Sequence, residues 1–238
     1  MGLFRYQNVF RSITLSISYL GATSVRHSST AYILRTPPPN TPREVPTPLV
    51  FVSASGWDSG SQHGMRKFAS MFAEKGFTCL ELDLAPPAKP PKSSQALMEH
   101  YEGELSSHIR LTSIPFAPVI IARGSGALIA QTYISSYPAS GLLLISPPAS
   151  NASLSSPPFD PSSIHNSAML LPTPLSEFDF EPKFPCAILC GEGDAAGLSE
   201  NRLWKDAAVD KLVVPDSRAL DSQEGFVKIE QWLDEIGV

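Results

Sequence analysis

Short runs of four to six consecutive apolar residues alternate along this chain with longer segments in which apolar positions recur every three or four residues. Leu49-Val50-Phe51-Val52 is the first such run, and Ser-Ala-Ser-Gly stops it. A continuous apolar run of this length predicts a strand buried on both faces. Gly64 to Lys75 carries Met65, Phe68, Ala69, Met71 and Phe72 at helical spacing, and Gly76 closes the helix. The alternation then continues: strand Phe77 to Leu82, helix Ser93 to Leu111, strand 118–122 and helix Ser125 to Ser136. After these come strands at Gly141 to Ile145, Cys186 to Cys190 and Leu212 to Val214, and a closing helix from Gly225 to Ile236 with Phe226, Ile229, Trp232 and Leu233 on one face. Strands separated by helices predict an α/β domain, a mostly parallel central sheet flanked by helices.

Two segments fall outside this pattern. Arg5, Arg11 and Arg26 are interleaved with Leu3, Phe4, Val9, Phe10, Ile13, Leu15 and Ile17, hydroxyl residues are frequent, and the first acidic residue is Glu44. Residues 1–27 thus have the profile of a mitochondrial transit peptide, leading to the matrix. The apolar stretch from Ile13 to Val25 is broken by Ser and Thr and is shorter than the ~20 residues a membrane span needs, so no transmembrane segment is expected. A myristoylation motif fails because Tyr6 stands where Ser or Thr is required. Residues 28–47, with the prolines of Thr36 to Leu49 at their centre, read as an extended linker. The expected folded domain is therefore 48–238, with 147–184 a Pro- and Ser-rich, lid-like insert carrying Met169-Leu170-Leu171, Phe178, Phe180 and Phe184.

Composition narrows the partners. With 238 residues, 42% of them hydrophobic, the chain can bury a full core. A net charge of −5 argues against nucleic-acid binding. Cys79, Cys186 and Cys190 are an odd number without paired spacing, which predicts buried, reduced thiols. No metal site or cofactor is expected, since the Cys186/Cys190 pair has no second Cys or His pair to complete a tetrahedron.

The chemistry-bearing stretch is Pro118 to Ala130, where Val-Ile-Ile-Ala-Arg-Gly-Ser-Gly turns from strand to helix. It has the outline of a nucleophile elbow, in which small residues two positions either side of the tip let strand and helix approach. Ala122 and Gly126 are that small pair, which puts Gly124 at the tip. Sliding the frame by one residue would make Ser125 the nucleophile, but it sets the long Arg123 side chain at the crossing.

From about Pro48 to Val238 the chain resembles a small α/β-hydrolase-fold protein. The resemblance rests on Ser55-Gly56-Trp57, on Gly76-Phe77 leading to Leu82-Asp83-Leu84, on the elbow, on Ile188 to Asp194, and on the Trp232-Leu233 helix. It implies a Ser…Asp…His order. The acid falls on Asp194, and the histidine position falls in Pro215 to Leu220, where Arg218 stands. A guanidinium cannot serve as a base at neutral pH, so Arg218 is expected to pair with Asp194 as a structural clasp. His27 lies in the presequence and His100 and His108 are expected on solvated faces, while His63 and His165 lie in loops. Backbone N–H groups after Ser55 and at Ser125 are expected to hold an anion or carbonyl oxygen, making Ser55, Gly56, Trp57 and Ser125 the candidate binding residues.

The resemblance therefore implies a mitochondrial hydrolase-fold protein without catalytic machinery, binding a small apolar or acyl ligand or a protein partner. A serine hydrolase acting on an ester or thioester through Ser125 is the alternative. Membership of a larger mitochondrial assembly is a third reading.

Overall fold

The computed structural model describes residues 30–155, 170–181 and 183–238. Residues 1–27, expected to be a transit peptide, lie outside these residues, as do His165 and Met169. Seven strands form one sheet in the order β1-β3-β2-β4-β5-β6-β7. They are β1 (Ala31–Arg35), β2 (Val45–Ser53), β3 (Phe77–Asp83), β4 (Val119–Arg123), β5 (Gly141–Ile145), β6 (Cys186–Gly191) and β7 (Val209–Val214). All neighbours are parallel except β1, which runs antiparallel to β3. The helices are α1 (Met65–Glu74), α2 (Ser94–Leu111), α3 (Gly126–Ser136), the single turns α4 (Glu192–Ala195) and α5 (Arg202–Lys205), and α6 (Gln223–Glu235).

Alternation along each buried strand divides the core into two layers. Leu49 and Phe51 face one side with Phe68 and Phe72 of α1 and Phe226 and Trp232 of α6. Val50 and Val52 face the other with Tyr101 and Leu105 of α2 and Leu128 and Ile129 of α3. Every residue of β5 is buried, as expected of a strand covered on both faces. The helix starts follow from local chemistry. Ser93 and Ser222 sit in extended conformation and accept hydrogen bonds from the N–H groups of Ala96 and Glu224.

The proline-rich stretch departs from expectation. Residues 28–47 are not a free linker, because Ala31–Arg35 forms β1, in register from Ala31 opposite Asp83 to Arg35 opposite Cys79, and Arg35 pairs with Glu81. Tyr32, Ile33 and Leu34 are strong strand formers, and the proline run that follows obscures them in the sequence. Pro46 and Pro48 are tolerated in β2 because its register against β3 shifts between Val45 and Leu49, and pairing with β4 begins only at Leu49.

The three cysteines are buried and unpaired, as expected. Burial pushes the Cys186 thiol up to about 12 and raises Cys79 and Cys190 as well. Among the described residues no helix is long and apolar enough to cross a membrane.

Trp232 ties the two ends of the C-terminal unit together. Its ring is buried in the α1/α6 layer and its Nε1 donates to Asp210 Oδ2 of β7 at 3.0 Å. Trp232→Ala should lower stability by about 3–5 kcal/mol in urea unfolding, whereas Phe116→Ala, at an exposed ring, should cost less than ~1 kcal/mol.

Candidate active site

The strand-to-helix turn is built as an elbow with glycine at its tip. Gly124 has φ +55°, in the left-handed region, where a glycine carries no Cβ strain. Its N–H donates to Ile145 O of β5 at 3.0 Å. A Cβ on Gly126 would lie 3.9 Å from that of Ala122, so this small pair lets α3 lie close against β4. Ser125 has φ −67° and ψ −19°, a helical conformation at the head of α3. The frame with Gly124 at the tip is therefore the one adopted. The alternative with Ser125 as nucleophile is not favoured, since Ser125 is 3% exposed.

The N–H and hydroxyl of Ser125 at the head of α3 are engaged by the chain itself. Asp58, from the loop after β2, presents Oδ2 to the Ser125 N–H at 3.2 Å and accepts the Ser125 hydroxyl on the same oxygen. A carboxylate here meets the positive end of α3. Its other oxygen accepts the Gly60 N–H at 2.9 Å, which fixes the side chain as the cap of the turn Ser59–Gln62. A Cβ placed on Gly124 would lie 3.0 Å from Asp58 Oδ2. The Ser125 hydroxyl and amide are both engaged by one internal carboxylate. A carboxylate is also a far weaker base than the imidazole that activates a serine.

The remaining donors of the Ser55-Gly56-Trp57 loop are largely turned inward. Ser55 donates its N–H to Asp83 Oδ1 at 2.7 Å and its hydroxyl to Asp83 Oδ2 at 2.5 Å. The N–H groups of Trp57 and Asp58 both go to Ala54 O, at 2.9 and 2.8 Å. Gly56 packs against Pro86, which a Cβ would approach to 3.0 Å. Trp57 stacks near Tyr101, and its indole N–H donates to Leu170 O at 2.8 Å. Burial and the charge of Asp83 raise the Tyr101 phenol well above its ordinary value.

The described part of the insert is fastened over the same end of the sheet. Ser94 and Thr173 exchange hydrogen bonds through their side chains and backbones. Asn151 donates to Glu177 Oε1 at 2.6 Å and to Ser176 O at 2.7 Å. Leu171 is fully buried, and Arg202 donates to Phe180 O at 2.7 Å. These contacts make residues 170–180 a packed strap.

Asp194 and Arg218 do not form the expected clasp. Both side chains are exposed and neither enters an ion pair with a described residue. An ion pair forms instead between Arg123 at the end of β4 and Asp221 in the loop after β7, three residues beyond Arg218. Arg123 also donates to His63 O at 2.9 Å, and Lys67 Nζ donates to Asp221 O at 2.8 Å. Gly64, at φ +75°, completes the cluster, because a Cβ there would strike the Asp221 carboxylate. Asp194 instead lines an open cleft of about 480 Å³ with Ser146, Pro147 and Leu198.

The histidines also differ from expectation. His108 is 9% exposed, its ring against Tyr32 of β1 and its Nδ1 2.9 Å from Glu104 O. His100 Nε2 lies 3.0 Å from Ala85 O. Both help pack the α2 layer. Asp58, Gly64, Arg123 and Asp221 were not singled out from the sequence. The available signal was a charged residue beside a glycine in each of two strand-ending turns, Asp58 in Gly-Trp-Asp and Arg123 in Ala-Arg-Gly.

Neither models of known protein families nor the sequences of characterised proteins match this chain significantly. Solved structures do. A lidless α/β serine hydrolase from Xanthomonas campestris superposes with a TM-score of 0.59 at 12% identity, over 88% of this chain and 90% of that one. Est816, an N-acyl homoserine lactone degrading enzyme, gives 0.56 at 15% identity, over 85% and 95%. An α/β serine hydrolase homologue from Coxiella burnetii gives 0.55 at 10% identity, over 88% and 93%. The fold of this chain is the α/β-hydrolase fold.

The Arg123–Asp221 pair is half sheltered, with side-chain exposures of 12% and 40%. A double-mutant cycle of Arg123→Ala and Asp221→Ala should give a coupling of about 2 kcal/mol in urea unfolding, between the values for exposed and buried pairs. The same cycle at Asp194 and Arg218 should give none. Equal couplings at the two pairs would contradict this assignment.

Proposed function

We propose that this chain is a non-catalytic protein of the α/β-hydrolase fold that works as a protein-interaction module in mitochondria. The observation that carries the reading is the Asp58 carboxylate bound to the N–H and hydroxyl of Ser125 beside a glycine at the elbow tip. Activation of a serine needs an accessible hydroxyl, a base and free oxyanion donors. Here the hydroxyl is buried and donates to Asp58 rather than to a histidine, and its amide is engaged.

A protein partner suits this arrangement better than an acyl ligand held at the elbow. The volume above Gly124 is bounded by Asp58, and Trp57 beside it is held under Leu170 by its indole hydrogen bond. The Arg-bearing, acid-free start supports delivery to the matrix. It predicts that residues 1–36 fused to a fluorescent protein carry it into mitochondria. Cytosolic residence of the endogenous protein with an intact N-terminus would overturn that part.

The catalytic question is settled by a fluorophosphonate probe. The full chain should show no covalent labelling, and Gly124→Ser should remain unlabelled, because its new side chain meets Asp58 and takes up a strained backbone costing about 1–3 kcal/mol. Stoichiometric labelling that disappears in Ser125→Ala would establish a serine hydrolase instead.

A further inference from the structure

We infer that the free edge of β1 is a self-pairing surface, through which two copies of this chain join their sheets antiparallel about a two-fold axis at Ile33. Strand β1 pairs with β3 on one side only. Its Tyr32, Ile33 and Leu34 are 58%, 38% and 42% exposed. Leu34 lines a groove of about 450 Å³ with Ile114 and Phe116, and Phe116 is itself 56% exposed. Of the large apolar side chains exposed among the described residues, all but Val213 lie on this strand, at the end of α2 or on the turn after it.

Edge strands that must remain single are ordinarily blunted by Lys, Pro, a bulge or an inward-pointing charge. Strand β1 has none of these. Its register against β3 is regular from end to end, and its one charge, Arg35, is already paired with Glu81. An uninterrupted apolar edge of this kind is a template for a further strand.

Charge and side-chain pattern select a second copy as the occupant. A two-fold axis at Ile33 sets Ile33 opposite Ile33 on the face shared with Met65, and Tyr32 opposite Leu34 on the face of His108. Arg35 then lies opposite Ala31, so no like charges meet, whereas a parallel arrangement in register would bring the two arginines together. Directly opposed residues have Cβ atoms about 4.5–5.5 Å apart, close enough for Tyr32, Ile33 and Leu34 each to find an apolar partner. This association is independent of whether the elbow is catalytic.

Analytical ultracentrifugation of the full chain should show a species of twice the 25.7 kDa chain mass. Ile33→Lys and Ile33→Glu should each weaken association roughly 100-fold, because like charges then face each other across the axis. An equimolar mixture of the two should restore it. Ile33→Cys should cross-link to itself under mild oxidation, since the chain's own thiols are buried, whereas Val213→Cys on the opposite edge should not. A chain that stays monomeric into the high micromolar range, or a dimer unaffected by Ile33→Lys and not cross-linked by Ile33→Cys, would overturn the proposal.

Discussion

The hydrogen bonds that Ser125 makes to Asp58 govern the upper end of this molecule. The head of a helix that emerges from a sharp strand turn offers an unpaired N–H and a positive end. In the described chain that demand is met by an internal carboxylate, held in place because Asp58 also caps the turn it begins. Two charge-assisted hydrogen bonds of this kind are worth about 1.5–3 kcal/mol each. The contact ties the loop after β2 to the start of α3, and any side chain larger than hydrogen at Gly124 would press on it. One carboxylate thus both fastens this loop and engages the Ser125 amide.

A second constraint joins the elbow to the loop after β7. Arg123 reaches Asp221 and the carbonyl of His63, and the absence of a side chain at Gly64 leaves room for that carboxylate. Three loops from three parts of the sequence are held by one guanidinium. Together with the strap from Leu170 to Phe180, this covers part of the end of the sheet where ligands of α/β folds usually bind, and leaves open the cleft lined by Ser146 and Asp194. Among the described residues, most of the exposed large apolar side chains lie elsewhere, along β1, at the end of α2 and on the turn after it.

Much of this was legible in the sequence, because buried parallel strands write themselves as continuous apolar runs and helices as periodic ones. The elbow was legible from Ala122 and Gly126, small residues whose spacing fits only one tip. Strand β1 was hidden because five residues beside a proline run carry little pattern, and its antiparallel pairing to β3 is a long-range event. The occupied anion site was legible in its position and hidden in its occupant. The sequence separation of Asp58 and Ser125 gives no periodic signal, and only the packed sheet brings them together. The expected Asp194–Arg218 clasp failed for a related reason. The side chains of both residues face solvent, and the sheltered ion pair at these loops is Arg123 with Asp221.

The account depends most directly on the carboxylate at the head of α3, and the exchange of a single amide reports on it. Hydrogen exchange at the Ser125 N–H, followed by NMR, should accelerate about 10- to 100-fold in Asp58→Ala, the loss of one charge-assisted hydrogen bond. The amides of Leu128 and Ile129, within α3, should keep their protection in the same variant. Unchanged protection at Ser125 with Asp58 removed would mean that the site is not filled by this side chain, and would contradict the account of a closed, non-catalytic elbow.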